Sequence, residues 1–202
     1  MRLEREKKAI EALRSNFLQD GACLISDKYL FLAADQWKTI NYKASRLVYE
    51  KHFQTKSTPH SFKTFPIKKH RTQTIADEVI FDVVNSTQMR GLVKSILSFP
   101  HFNVQRCECH IYEEGDFISL EWMKKFIKDA SHLLIITLES EYEGGEHLIH
   151  HKKQEKKTFQ PQSTEILISS CDFDHEMLPL ISGQKNTVLA SLRPLYPASF
   201  TK

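Results

Sequence analysis

Cysteine is scarce: Cys23, Cys107, Cys109 and Cys171 are the four in 202 residues. They are too few and too scattered for the disulfide frameworks that staple small secreted folds, which points to a reducing, cytoplasmic setting. Cys107 and Cys109 lie two apart and would share one face of a strand. Without a second cysteine pair elsewhere they read as buried thiols rather than zinc ligands. Long apolar runs are missing too. No stretch approaches the roughly 20 residues that cross a bilayer, and the charged start, Met1 to Lys8, has none of the apolar core of a secretory signal. The expectation is neither a membrane span nor secretion. Nor is there a dense charge of one sign. A net charge of +3 falls far short of a phosphate-neutralising surface, so no nucleic-acid partner is expected. Internal repeats are absent.

What is present is an ordinary globular composition, 41% hydrophobic and 26% charged, enough for one substantial core. Leu3, Ile10, Leu13, Phe17 and Leu18 recur at helical spacing and predict an amphipathic helix over residues 2–18, ended by Asp20-Gly21. Ala22 to Ser26 reads as a strand. Asp27 is a candidate cap for a second helix through Trp37, Ile40, Ala44, Leu47 and Val48. Gln54 to His70 reads as an exposed loop, and the surface out to Arg71 is the expected seat of specificity. Ile75 to Val84 and Met89 to Leu97 have helical spacing, the latter closed by Ser98-Phe99-Pro100.

After Phe102 the pattern changes to short β-like runs: Val104 to Tyr112, Phe117 to Leu120, Leu133 to Leu138, His147 to His150, Glu165 to Ser170 and Thr187 to Leu192. Close spacing and turns at Gly144-Gly145 and Ser182-Gly183 suggest a sandwich or barrel. The tract His150 to Lys157 (HHKKQEKK) reads as a solvated loop.

Four segments of this half recur in a fixed order: Tyr112-Glu113-Glu114-Gly115-Asp116-Phe117; Leu133 to Leu138; Glu141 to Glu146 with its Gly-Gly turn; and Asp174-His175-Glu176-Met177-Leu178-Pro179-Leu180 followed by Ser182-Gly183-Gln184-Lys185. With Phe17 to Ile25 at the N-terminal end, this order resembles the prolyl-hydroxylase-like 2-oxoglutarate/Fe(II) oxygenases over nearly the whole chain. The resemblance implies a mainly β chain with N-terminal helices (α+β) and a double-stranded β-helix, or jelly-roll, core. Residues 1–102 would form the helical and mixed support, and residues 103–202 the core of one domain. It further implies that His175 matches the distal iron ligand. Lys185, ten residues on, matches the basic residue that pairs with the far carboxylate of 2-oxoglutarate, and Tyr112 matches the tyrosine that helps to bind it.

One part of the family pattern is missing. Where a His-x-Asp pair would follow Gly115-Asp116-Phe117, the chain has Glu121 and Met123, and no His-x-Asp or His-x-Glu occurs between Tyr112 and the Gly-Gly turn. Glu121 offers an oxygen ligand, whereas Met is a soft, weak donor to Fe(II). Asp116, Asp129, His132, His147 and the His150/His151 pair are the candidates for a relocated site. Three readings follow. The chain is a degenerate relative that binds a ligand or protein partner in the old pocket, or an active hydroxylase with Fe(II), 2-oxoglutarate and an unusual ligand set, or an unrelated β-rich interaction protein. The implied partners are a small carboxylate or a protein or peptide.

Overall fold

The computed structural model describes residues 2–26, 34–46, 50–52, 62–66, 75–97, 101–151 and 156–195. Five helices and twelve strands follow in chain order: α1 (Arg2–Asp20), β1 (Ala22–Ile25), α2 (Ala34–Ala44), β2 (Glu50–His52), β3 (Phe62–Pro66), α3 (Ile75–Val84), α4 (Thr87–Leu97), β4 (Phe102–Tyr112), α5 (Leu120–Phe126), β5 (His132–Thr137), β6 (Tyr142–Gly144), β7 (His147–His150), β8 (Lys156–Phe159), β9 (Ile166–Ser170), β10 (Asp174–Met177), β11 (Leu180–Gly183) and β12 (Lys185–Pro194).

Seven strands form one sheet in the order β1-β9-β5-β12-β4-β3-β2. A smaller sheet, β10-β7-β8, is extended by a bridge between Ile118 and Met177, and β11 pairs with β6. Every pairing in these sheets is antiparallel. The four central strands β9-β5-β12-β4 facing the strip 118-β10-β7-β8 make the expected jelly roll.

Side chains alternate across a strand with period two, and the large sheet uses this to separate two cores. Cys107 and Cys109 of β4, Leu134 and Ile136 of β5, Ile166 and Ile168 of β9, and Val188, Ala190 and Leu192 of β12 pack against the helices. Tyr112, Leu133, Ile135, Leu167 and Leu189 point the other way, into the space between the sheets, where they meet Ile149, Met177 and Met123. The helices supply the far wall of the first core with Trp37, Ile40, Met89, Leu92, Val93 and Ile96.

The cysteines are free, and three are buried outright. Burial pushes the thiols of Cys23 and Cys171 up to about 12 and that of Cys107 higher still, with Glu108 beside it adding to the shift. The thiolate is the reactive form, so labelling by a thiol reagent at pH 8 is expected to run on the order of a thousandfold slower in the native than in the unfolded chain. Fast labelling of Cys107 in native protein would contradict this packing.

Several expectations change in detail. Phe117 to Leu120 is not a strand beyond bridge residues at Phe117 and Ile118. Ser119 instead caps α5, its hydroxyl accepting from the Trp122 amide, and Met123, Phe126 and Ile127 bury at helical spacing. Within the segment read as a loop, β3 pairs with β4; the rest of that segment, and the Asp27 cap, lie outside the described residues. The basic tract is not a loop throughout: Lys156, which is exposed, and Lys157 open β8, which pairs with β7.

Candidate functional site

The pairing of β4 with β12 is what assembles the site. Tyr112 stands opposite Lys185, His110 opposite Thr187, and Glu108 opposite Leu189. Directly opposed residues on one face have Cβ atoms about 5 Å apart, so two strands alone gather a phenol, an ammonium, an imidazole and a hydroxyl. All four of these residues are buried.

Tyr112, Lys185 and Thr187 border a cavity whose remaining walls are Ile118, Ile135, His147, Pro161, Met177 and Leu189, with His110 one position behind Tyr112 on the same face of β4. The free space is about 10 Å³, room for the centre of roughly one water molecule. A five-carbon dicarboxylate enters only if a wall such as Pro161 or Met177 moves. Tyr142, whose hydroxyl donates to the Pro161 carbonyl, lies against the same corner, with the Lys185 ammonium 5.0 Å from its ring centre.

Lys185 is the unusual group. It is 2% exposed and donates to the Gly145 carbonyl at 2.7 Å, and among the described residues no carboxylate pairs with it at ion-pair distance. Desolvation therefore pulls its pKa from 10.5 down to about 8, with only Glu146 acting from a distance to restrain the fall. Tyr112 shifts the opposite way: burial, Glu108 and Asp116 all hold its phenol well above the ordinary value. The Thr187 hydroxyl has no hydrogen bond of good geometry, although it lies close enough to ease ionisation of Tyr112.

His175 and His147 form a second buried cluster. His175 Nε2 is 2.8 Å from the Ser170 carbonyl, which can only accept, so this nitrogen carries the proton. In the neutral ring Nδ1 is then the acceptor, and His147 Nε2 lies 3.2 Å from it. Burial lowers both pKa values, His147 most strongly, with His175 and Lys185 adding repulsion. Both nitrogens of His175 are thus engaged by protein in the neutral state.

Glu121 is not brought to this cluster. It stands exposed in the first turn of α5, while Met123 is fully buried in the inner core. Of the other candidates, His150 pairs with Glu176 at 2.7 Å on the outer face of the small sheet, His151 lies tilted against Phe173, and His132 bonds Ser131. Asp116 caps its own turn through the Glu113 amide. Among the described residues no group of three or more His, Cys, Asp or Glu is placed to hold a metal ion.

Sequence reasoning passed over Glu108, His110 and Thr187. The signal was available in the period-two run Glu108, His110, Tyr112, polar groups on the inward face of a strand whose outward face carries Cys107 and Cys109. The capped helix α5 was legible as well, from Ser119 followed by Met123, Phe126 and Ile127.

No family model matches the chain, and no curated protein matches it by sequence. Solved structures do match in fold. A 2OG-Fe(II) oxygenase family oxidoreductase from Burkholderia pseudomallei superposes with a TM-score of 0.81 at 15% identity, covering 91% of this chain and 90% of that one. A Pseudomonas putida prolyl-4-hydroxylase gives a TM-score of 0.63 at 15% identity over 92% and 100% of the two chains. A Trichoplax adhaerens prolyl hydroxylase, in complex with a hypoxia inducible factor peptide fragment, gives 0.63 at 12% identity over 94% and 91%.

Proposed function

We propose, for a chain with the fold of the 2-oxoglutarate/Fe(II) oxygenases, that the pocket at Lys185 and Tyr112 binds a carboxylate and that the protein works as a binding module rather than as an iron oxygenase. The observation that carries this reading is Lys185: a buried ammonium that donates to the Gly145 carbonyl and lies against the Tyr142 ring, with no carboxylate at ion-pair distance among the described residues. Keeping such a charge out of water is costly unless it is paired, and a carboxylate drawn into the adjoining cavity supplies the pair. Thr187 and Tyr112 stand on the same wall to take the remaining oxygen lone pairs. The carboxylate belongs to a small molecule or to a peptide side chain or terminus; the peptide bound by the Trichoplax relative is the precedent for the latter.

The same residues argue against a resident iron. A 2-His-1-carboxylate site needs a free imidazole lone pair and two more donors beside it. His175 has its lone pair occupied by His147, Glu121 points to solvent, and Met123 lies in the apolar core. Oxygen chemistry of the fold's enzymes is therefore no part of the proposed activity.

Calorimetric titration with 2-oxoglutarate, succinate and acetate tests the reading. Saturable binding is expected at about 10 µM to 1 mM for at least one carboxylate, weakened about 10- to 100-fold by Lys185→Ala. Anaerobic titration with Fe(II) or Mn(II), with and without 2-oxoglutarate, is expected to show no saturable one-to-one binding. Micromolar metal binding that 2-oxoglutarate strengthens and His175→Ala abolishes would restore the oxygenase reading.

A further inference from the structure

Behind Tyr112 lies a chain of hydrogen bonds that a merely structural tyrosine does not need. His110 Nδ1 is 2.7 Å from the Tyr112 hydroxyl, and His110 Nε2 is 3.0 Å from Glu108 Oε2. His110 is fully buried, whereas the Glu108 side chain is 18% exposed. The three sit at successive inward positions of β4, so the chain runs from the cavity wall to the protein surface. The rings of Trp122 and Phe126 from α5 pack edge-on against the imidazole and fix its plane.

Counting protons along this chain decides what Tyr112 can offer the cavity. With Glu108 ionised and His110 neutral there are two hydrogens for two bonds. His110 Nε2–H donates to Glu108, and Tyr112 O–H donates to His110 Nδ1. The phenol oxygen then faces the cavity as an acceptor, the wrong polarity for a carboxylate, which also only accepts. One added proton reverses this. With His110 doubly protonated, Nδ1–H donates to the phenol oxygen, and Tyr112 O–H is released to donate into the cavity. Glu108 is in place to stabilise the imidazolium.

We infer that the pocket takes its carboxylate together with one proton, which settles on His110, and that Glu108 and His110 are the positioning residues that switch Tyr112 from acceptor to donor. This rests on the reading of the pocket as a carboxylate site. Among the described residues, charged, titratable and polar groups face His110 from several elements. On β4 these are Glu108, Tyr112 and, one further inward position away, Arg106, whose guanidinium lies over Phe126 and donates to the Lys125 carbonyl. β12 presents Thr187 in register with His110 and Lys185 beside it, β3 pairs with β4 on the other side, and α5 presents the two aromatic rings. His147 lies across the cavity, and Asp116 acts on Tyr112 from the turn.

The experiment is calorimetry of the full chain with the carboxylate found above, in buffers of differing ionisation enthalpy between pH 6 and 7.5, with ring-nitrogen NMR of His110 alongside. Wild-type protein is expected to take up close to one proton per ligand in the upper part of this range, with affinity falling towards tenfold per pH unit, and both His110 nitrogens are expected to read as protonated when ligand is bound. Glu108→Gln, at a partly exposed position, is expected to reduce the uptake and flatten the pH profile, and Glu108→Asp to restore them. Tyr112→Phe should remove the uptake while retaining the Lys185-dependent part of the binding. Binding without proton uptake, or uptake unchanged in Glu108→Gln, would overturn the relay and leave the carboxylate site standing. No binding of any carboxylate at any pH would overturn both.

Discussion

Lys185→Met is expected to make the protein more stable at pH 7 while ending carboxylate binding. The native ammonium has a pKa of about 8 against an ordinary 10.5, a difference equivalent to about 3 kcal/mol of burial penalty. Below pH 8 both folded and unfolded chains carry the proton, so the whole penalty is present. Between pH 8 and 10.5 the unfolded chain binds more protons than the folded one, and stability contributed by this group rises with pH. Methionine has the stem without the charge. Its gain is offset by the Gly145 carbonyl, which loses its donor at a cost of about 1 kcal/mol, leaving a net gain of about 2 kcal/mol at pH 7. Denaturant unfolding of wild type and variant at pH 7 and pH 10 reads both parts: the difference should shrink as pH rises. A variant less stable than wild type at pH 7 would mean that Lys185 is already paired within the protein, and the argument for an anion in the pocket would fail.

The second large effect is expected at Gly183. Its φ is +81°, and a Cβ there would stand 2.3 Å from the Glu141 carbonyl oxygen and 2.9 Å from the Tyr142 Cα. Those are backbone atoms of the neighbouring strand, which cannot step aside as a side-chain end can. Gly183→Ala therefore combines left-handed strain with a collision across the β11–β6 pair, and a loss of about 3 kcal/mol or more is expected. Gly115 is the internal control. It has the same φ of +81° but nothing within 4 Å of its would-be Cβ, so Gly115→Ala should cost only the backbone term, about 1 to 2 kcal/mol. Equal melting temperatures for the two variants would show that the close approach at Gly183 does not exist. Because β11 runs directly into Lys185 and β6 into Gly145, the damage at Gly183 should also weaken carboxylate binding.

Much of this molecule could be read before its structure, and the reason is periodicity. The helical spacing of Ile10, Leu13 and Phe17 and the run Leu133 to Ile136 state their elements directly. The Tyr112–Lys185 pairing could be anticipated only through the order of segments, because the two lie 73 positions apart and only strand register brings them together. What escaped reading had two causes. Short strands such as β6, β10 and β11 contain few apolar residues and are fixed by their partners rather than by their own sequence. The second cause is that the start of α5 carries its signal in one residue, Ser119, whose hydroxyl caps the helix, while Phe117 and Ile118 just before it read as strand. The engaged state of His175 could not be read at all, since it depends on His147 from another strand and on the Ser170 carbonyl, and a backbone group carries no sequence signal.

That small helix also sets what two substitutions could achieve here. Writing Glu121→His and Met123→Asp into this chain would spell the absent motif letter for letter, yet the new imidazole would stand in solvent and the new carboxylate would be buried among Phe126, Ile118 and Met177 without a partner. The local backbone, and not the choice of side chain, is therefore what withholds a ligand pair here, so installing one calls for rebuilding the turn and helix over residues 117–127 before any ligand is written in.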